Sequence, residues 1–136
     1  MMAFQLSTEA RNATLAAIET EIGVNPVLTI STGSVPANAG TANTGVVVAT
    51  MVLPSDWLAN PVGGSIALSG TWQDLSADAS GTAGYFRLHN NPGSVCHMQG
   101  TVSATGAGGD MQLDNTNIAT GQQINITTFT ITAGGV

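Results

Sequence analysis

Lysine does not occur in this 136-residue chain, and arginine occurs only at Arg11 and Arg87, against eight carboxylates. A formal net charge of −6 leaves almost nothing with which to neutralise phosphates, so neither nucleic acid nor an anionic membrane is an expected partner. Charge of either sign is scarce. Only 7% of residues are charged, where soluble domains usually carry roughly 25%. Uncharged polar residues fill the gap, and such a surface suits a subunit that spends its life assembled better than a free monomer. One cysteine, Cys96, excludes an intrachain disulfide framework. Three Phe, two Trp and one Tyr are too few for the girdles of a membrane barrel. The longest apolar run, "VVVATMVLP" at 46–54, is too short to cross a bilayer as a helix. The start, "MMAFQLSTEARN", lacks a basic region followed by an apolar stretch, so no secretory signal is expected.

What is present divides into a helical start and a β remainder. Residues 7–22, "STEARNATLAAIETEI", open with hydroxyl cap candidates, carry Glu9 in the first turn and are followed by Gly23. At helical spacing Leu15, Ile18 and Ile22 make one apolar stripe; Ala10, Ala13 and Ala17 make a second. The alanines are either simple helix formers or a docking face. After Pro26, Thr, Val and Ile alternate between recurring Gly, Asn, Pro and Ser clusters. Strands are predicted near 27–32, 45–53, 64–69, 71–76, 84–89, 95–103, 110–114 and 122–132, with a bulge near Thr127 and Thr128 where the alternation slips. The expected fold is mainly β, an antiparallel β-sandwich of jelly-roll type with about eight strands and a short N-terminal α-helix. The expected organisation is one structural unit, a helical arm over 1–26 and a sandwich over 27–136.

"SVCHMQG" at 94–100 sets Cys96 beside His97, a pairing that could serve a thiol nucleophile or a metal. If "NNPGS" at 90–94 is a five-residue hairpin loop, His89 pairs with Val95, Leu88 with Cys96, Arg87 with His97, Phe86 with Met98 and Tyr85 with Gln99. Strand parity then puts Cys96 in the core with Leu88, Phe86 and Met98, and leaves Tyr85, Arg87, His89, His97 and Gln99 as an outer-face polar patch. Cys96 and His97 fall on opposite faces and cannot act as nucleophile and base. His89 and His97, with Arg87 standing by, are too few donors for a tetrahedral zinc site. Asp110 and Asp114 in one strand would lie roughly 13 Å apart, beyond the ~5–9.5 Å of a glycosidase pair. "GAGGDMQLD" at 106–114 reads as a glycine-rich turn into a strand with Met111 and Leu113 inward. No nucleophile elbow, P-loop or dinucleotide fingerprint occurs, so no catalytic residues, cofactor or metal are expected. Trp57 and Trp72 read as core anchors. The uncharged run 46–53 requires cover on both faces, as a central strand or one sealed by a neighbouring subunit.

The run 70–135, most distinctively "CHMQGTV" followed by "GGDMQLDN", with "ARNATLAAIETEIG" and "STGSVPANAG" ahead of it, resembles small virion proteins of tailed bacteriophages. Within that group it resembles the cement, or decoration, proteins of podovirus-like heads. The resemblance implies a jelly roll that binds the outer capsid as a homo-oligomer, with the major capsid protein as partner, a homodimer favoured over a trimer, and no enzymatic activity. Phe4, Leu6, Ala10, Ala13 and Ala17 are then the candidate interface on the arm. Rival readings are a tail, neck or fibre-associated virion protein, and a carbohydrate-binding sandwich with Trp57, Trp72 or Tyr85 exposed in one groove.

Overall fold

A computed structural model describes residues 4–135. Helix α1 (Thr8–Ile22) begins where the Ser7 hydroxyl accepts a hydrogen bond from the Ala10 amide at 3.1 Å, with Glu9 in the first turn. It ends at Gly23, whose φ of 89° lets its amide turn back to the Glu19 carbonyl. Leu15 and Ile22 are buried and Ile18 half-buried, so the large-residue stripe faces the core. Ala13 and Ala17 face solvent and Ala10 is half-buried.

The helix is tied to the β part by polar bonds as well as by packing. The Trp57 indole donates to the Gly23 carbonyl, the Leu58 amide to the Glu19 carboxylate and the Gly64 amide to the Asn12 side chain. Burial raises the pKa of Glu19, the Leu58 amide opposes the rise, and nearby Asp56 adds to it. Just before the helix, the Leu6 amide bonds the Gly135 carbonyl at 2.7 Å.

Ten strands follow: β1 (Val27–Thr32), β2 (Val47–Val52), β3 (Ser65–Ala67), β4 (Trp72–Asp74), β5 (Gly81–His89), β6 (Cys96–Ala104), β7 (Met111–Leu113), β8 (Asn117–Ile118), β9 (Ile124–Ile126) and β10 (Thr130–Thr132). They build a mainly β fold around a curled multi-strand sheet in the order β2-β1-β5-β6-β7, with β8 attached to the start of β5. Two short ladders, β3 with β10 and β4 with β9, stand apart from it. The pairings are antiparallel with one exception, β6 alongside β7. There the glycine-rich turn brings the chain back so that Val102, Ser103 and Ala104 face Met111, Gln112 and Leu113 in parallel.

One core joins the main sheet to the short ladders. Trp57 and Trp72 are buried as expected, their rings 6.1 Å apart, and Phe129 links Trp72 at 5.7 Å to Phe86 of the main sheet at 5.5 Å. Those tilted and edge-on contacts are the geometry that aromatic quadrupoles favour. Met111 and Leu113 also point inward, as their alternation predicts.

Four expectations are corrected. The single strand predicted over 122–132 is two, because the chain breaks after Ile126: β9 pairs with β4, β10 pairs with β3, and Phe129 between them turns into the core. The slip in alternation marks a change of partner rather than a bulge. The brief β8 was absent from the predicted set, since two residues carry no legible periodicity.

The third concerns the run 46–53. Its strand β2 is an edge rather than a central strand, and Val46 and Val52 keep exposed side chains; along the edge the Thr50 amide donates to Asp74 and the Asp78 amide to the Val48 carbonyl. Edge backbone groups are commonly blocked in some such way.

The fourth is the hairpin register. Asn90 bonds Val95, His89 pairs with Cys96, and His97 is an extra residue, so Leu88 meets Met98, Phe86 meets Gly100 and Tyr85 meets Thr101. The Asn90 carboxamide oxygen accepts from the Ser94 and Val95 amides and closes the turn one residue tighter than expected.

Candidate functional site

The bulge decides which face each residue of "SVCHMQG" takes. Phe86, Leu88 and Met98 face the core as parity predicts, but past His97 the alternation inverts and Cys96 joins the face of Arg87. The Cys96 sulfur accepts from Arg87 Nε at 3.2 Å and contacts the Met98 carbonyl at 3.4 Å. Its expected place in the core is therefore corrected. His97 borders a shallow groove against Thr14, Ala17, Ile18 and Glu21 of α1. Cys96 and His97 do lie on opposite sides, with the sides exchanged.

The expected outer-face patch is not open. Tyr85 and Arg87 are buried, and Gln99, His89 and His97 are half-buried. Over Tyr85, Arg87 and Gln99 the cause is the connection between β1 and β2, residues 33–46, which folds back as a roof across the face of β5 and β6, whereas His97 lies on the other side against α1. Its own turn is fixed by Asn38, whose side-chain oxygen accepts from the Gly40 amide and the Thr41 hydroxyl.

Under the roof Tyr85, Gln99 and Arg87 each bond a roof atom. The Tyr85 hydroxyl donates to Asn43 at 2.6 Å and accepts from the Gly45 and Thr44 amides. The Gln99 amide donates to the Pro36 carbonyl at 2.8 Å, while its side-chain oxygen is buried without a partner. Arg87 Nη2 donates to the Ala39 carbonyl at 2.7 Å. Gly84 and Gly45 make this closeness feasible, because a Cβ on either would overlap the backbone of Gly33 or Thr32.

The electrostatics follow from enclosure. Burial raises the pKa of Tyr85, but donation by Gly45, Thr44 and Ser31 outweighs it, and the phenol sits below its ordinary value. His89 is lowered, first by burial and then by the charges of Arg87 and His97. The bonded partners of the Arg87 guanidinium are a carbonyl and a sulfur, not a carboxylate. Beside it a pocket opens between residues 39–42 of the roof and Ser94, Val95 and Cys96 of the hairpin.

Elsewhere, Asp110 ties the glycine-rich turn back to β6. Its carboxylate accepts from the amide and hydroxyl of Thr101. Among the described residues no cluster of three or more His, Cys, Asp or Glu has the arrangement of a metal site. No helix among them is long and apolar enough to cross a membrane. Trp57, Trp72 and Tyr85 lie inside, so they form no exposed aromatic platform. Phe4 and Leu6 of the candidate interface are exposed, on the same segment as the outward alanines.

The roof is what sequence reasoning missed. Residues 31–45 read as a long loop of small residues, and the buried partners of Tyr85, Arg87 and Gln99 are mostly its backbone atoms, which no residue type announces. Comparison of the chain with protein-family models, with curated proteins and with solved structures finds no match.

Proposed function

We propose that this chain is a structural virion protein, a cement or decoration protein that binds the outer surface of a tailed-bacteriophage head and reinforces contacts between capsomers of the major capsid protein. The observation that carries the reading is a set of large apolar side chains left exposed on a molecule with very little charge. Phe4, Val24, Val52, Val62 and Leu75 are each between 61% and 76% exposed, while only 7% of residues are charged. Exposed apolar groups on a weakly solvated surface favour association. A shell offers many equivalent positions, so contacts of modest individual strength suffice when symmetry repeats them.

Phe4, Leu6, Ala10, Ala13 and Ala17 form the proposed contact surface, toward the capsid or a sister subunit, with a homodimer favoured over a trimer. The role is non-enzymatic and needs no cofactor, nucleic acid or membrane. The architecture proposed with it is a jelly-roll-like sandwich in which the β3–β10 and β4–β9 ladders supply the second layer. Support comes from the shared core of Ile66, Trp72, Ile124 and Ile126 from the ladders with Leu28, Ile30, Phe86 and Leu88 from the main sheet. The parallel β6–β7 pair departs from that plan.

The test is co-sedimentation with heads of the phage that encodes the chain, stripped of their own copies. Saturable binding to the heads is expected, lost in a Phe4→Ser, Leu6→Ser double variant that remains folded. Folded protein that stays in the supernatant while binding tails or necks would overturn it.

A further inference from the structure

We propose that the pocket beside Arg87 is a binding site for a single carboxylate group. Arg87 is 4% exposed, and a buried guanidinium is stable only when its charge and its donors are matched. Of its five N–H donors, one on Nε is spent on the Cys96 sulfur and one on Nη2 on the Ala39 carbonyl. Both N–H groups of Nη1 make no hydrogen bond among the described residues, and Nη1 is not a sealed, orphaned atom. The residue instead lines the pocket between roof residues 39–42 and Ser94, Val95 and Cys96.

The chemistry of the walls narrows the ligand. A fixed cation with free N–H groups selects an anion, and the planar guanidinium suits a carboxylate. The depressed pKa of His89, due in part to Arg87, reflects positive potential in the same neighbourhood. Ala39, Ala42 and Val95 offer apolar contact to a methyl or methylene next to the carboxylate. The chain's overall net charge of −6 opposes a multiply charged guest such as phosphate more than a single carboxylate. The carboxylate can arrive as a small free acid or as an Asp or Glu side chain of another protein. The inference does not depend on placement in a virion.

The test is titration of the isotopically labelled full chain at pH 7.5 and constant ionic strength, with sodium acetate or a blocked Gly-Asp-Gly peptide exchanged for sodium chloride, read by magnetic resonance. Saturable shifts confined to the Arg87 side chain, Cys96 and residues 39–42 are expected from at least one probe. Acetate alone acting assigns a free acid; the peptide acting more tightly assigns a protein side chain. Ala42→Trp, on the exposed roof, narrows the mouth without touching Arg87 and should weaken binding at least tenfold while the spectrum stays dispersed. Arg87→Lys removes the fork and should do the same. Shifts that fail to saturate, that spread across the surface, that persist in Ala42→Trp, or that chloride or phosphate reproduces equally would overturn the assignment.

Discussion

Tyr85 shows at the scale of one residue how a polar side chain can be part of a protein's interior. Its ring is enclosed while its hydroxyl gives one hydrogen bond and receives two, so nothing polar is left unmatched. Tyr85→Phe keeps the ring, strands the Thr44 and Gly45 amides and leaves the Asn43 oxygen only the Ser31 hydroxyl at 3.5 Å. A loss of about 1–3 kcal/mol is expected, checked by the urea midpoint at unchanged slope. His89 carries a pH dependence whose sign follows from its depressed folded-state pKa. Below its unfolded value near 6.5 the unfolded chain binds the proton more readily, so stability from this group is present at neutral pH and is lost on acidification. Unfolding free energies at pH 7.5 and 5.5 should differ less in His89→Gln than in the wild type. An equal or larger difference would show that Arg87 and burial do not act on His89 as described.

Elements in this fold meet through glycines and are held by them. Gly100 lies under the Phe86 ring, where a Cβ would come within 2.7 Å of the ring and 2.9 Å of Asp110. Gly100→Ala should cost about 1–3 kcal/mol by overpacking, whereas Gly134→Ala, with open space around it, should change the thermal midpoint little. Helix α1 is likewise structural. Deleting residues 1–22 removes Leu15 and Ile22 from the core and should abolish cooperative unfolding, so surface variants at Phe4 and Leu6 are the better probe of docking. At this scale the sequence is most readable where side chains set the pattern. Ser7, Gly23 and the Leu15-Ile18-Ile22 stripe mark α1 to within a residue, and the inward Phe86, Leu88, Met111 and Leu113 follow from alternation. It is least readable where backbone geometry decides. The bulge at His97, the parallel return of β7 and the roof over Tyr85 and Arg87 all depend on main-chain bonds between distant segments. Of the expected polar patch, Tyr85, Arg87 and Gln99 share a face but lie under cover, and one extra residue in the hairpin exchanges the faces of Cys96 and His97.

The whole molecule joins a well-packed aromatic core to a surface that has few charges and keeps several large apolar groups in solvent. That combination suits a life in an assembly, and the proposed assembly is the outside of a phage head. A free chain should therefore associate in a way that depends on concentration. Sedimentation should detect a dimer that the Phe4→Ser, Leu6→Ser variant weakens, and a strictly monomeric wild type would remove support for self-association. The most direct measurement is a reconstruction of the intact particle at a resolution that locates this chain. The proposed role predicts tens to hundreds of copies on the outer head surface, bridging neighbouring capsomers with the segment around Phe4 and Leu6 at a contact. About a dozen copies or fewer, confined to a neck or tail, or no copies on the particle, would contradict it.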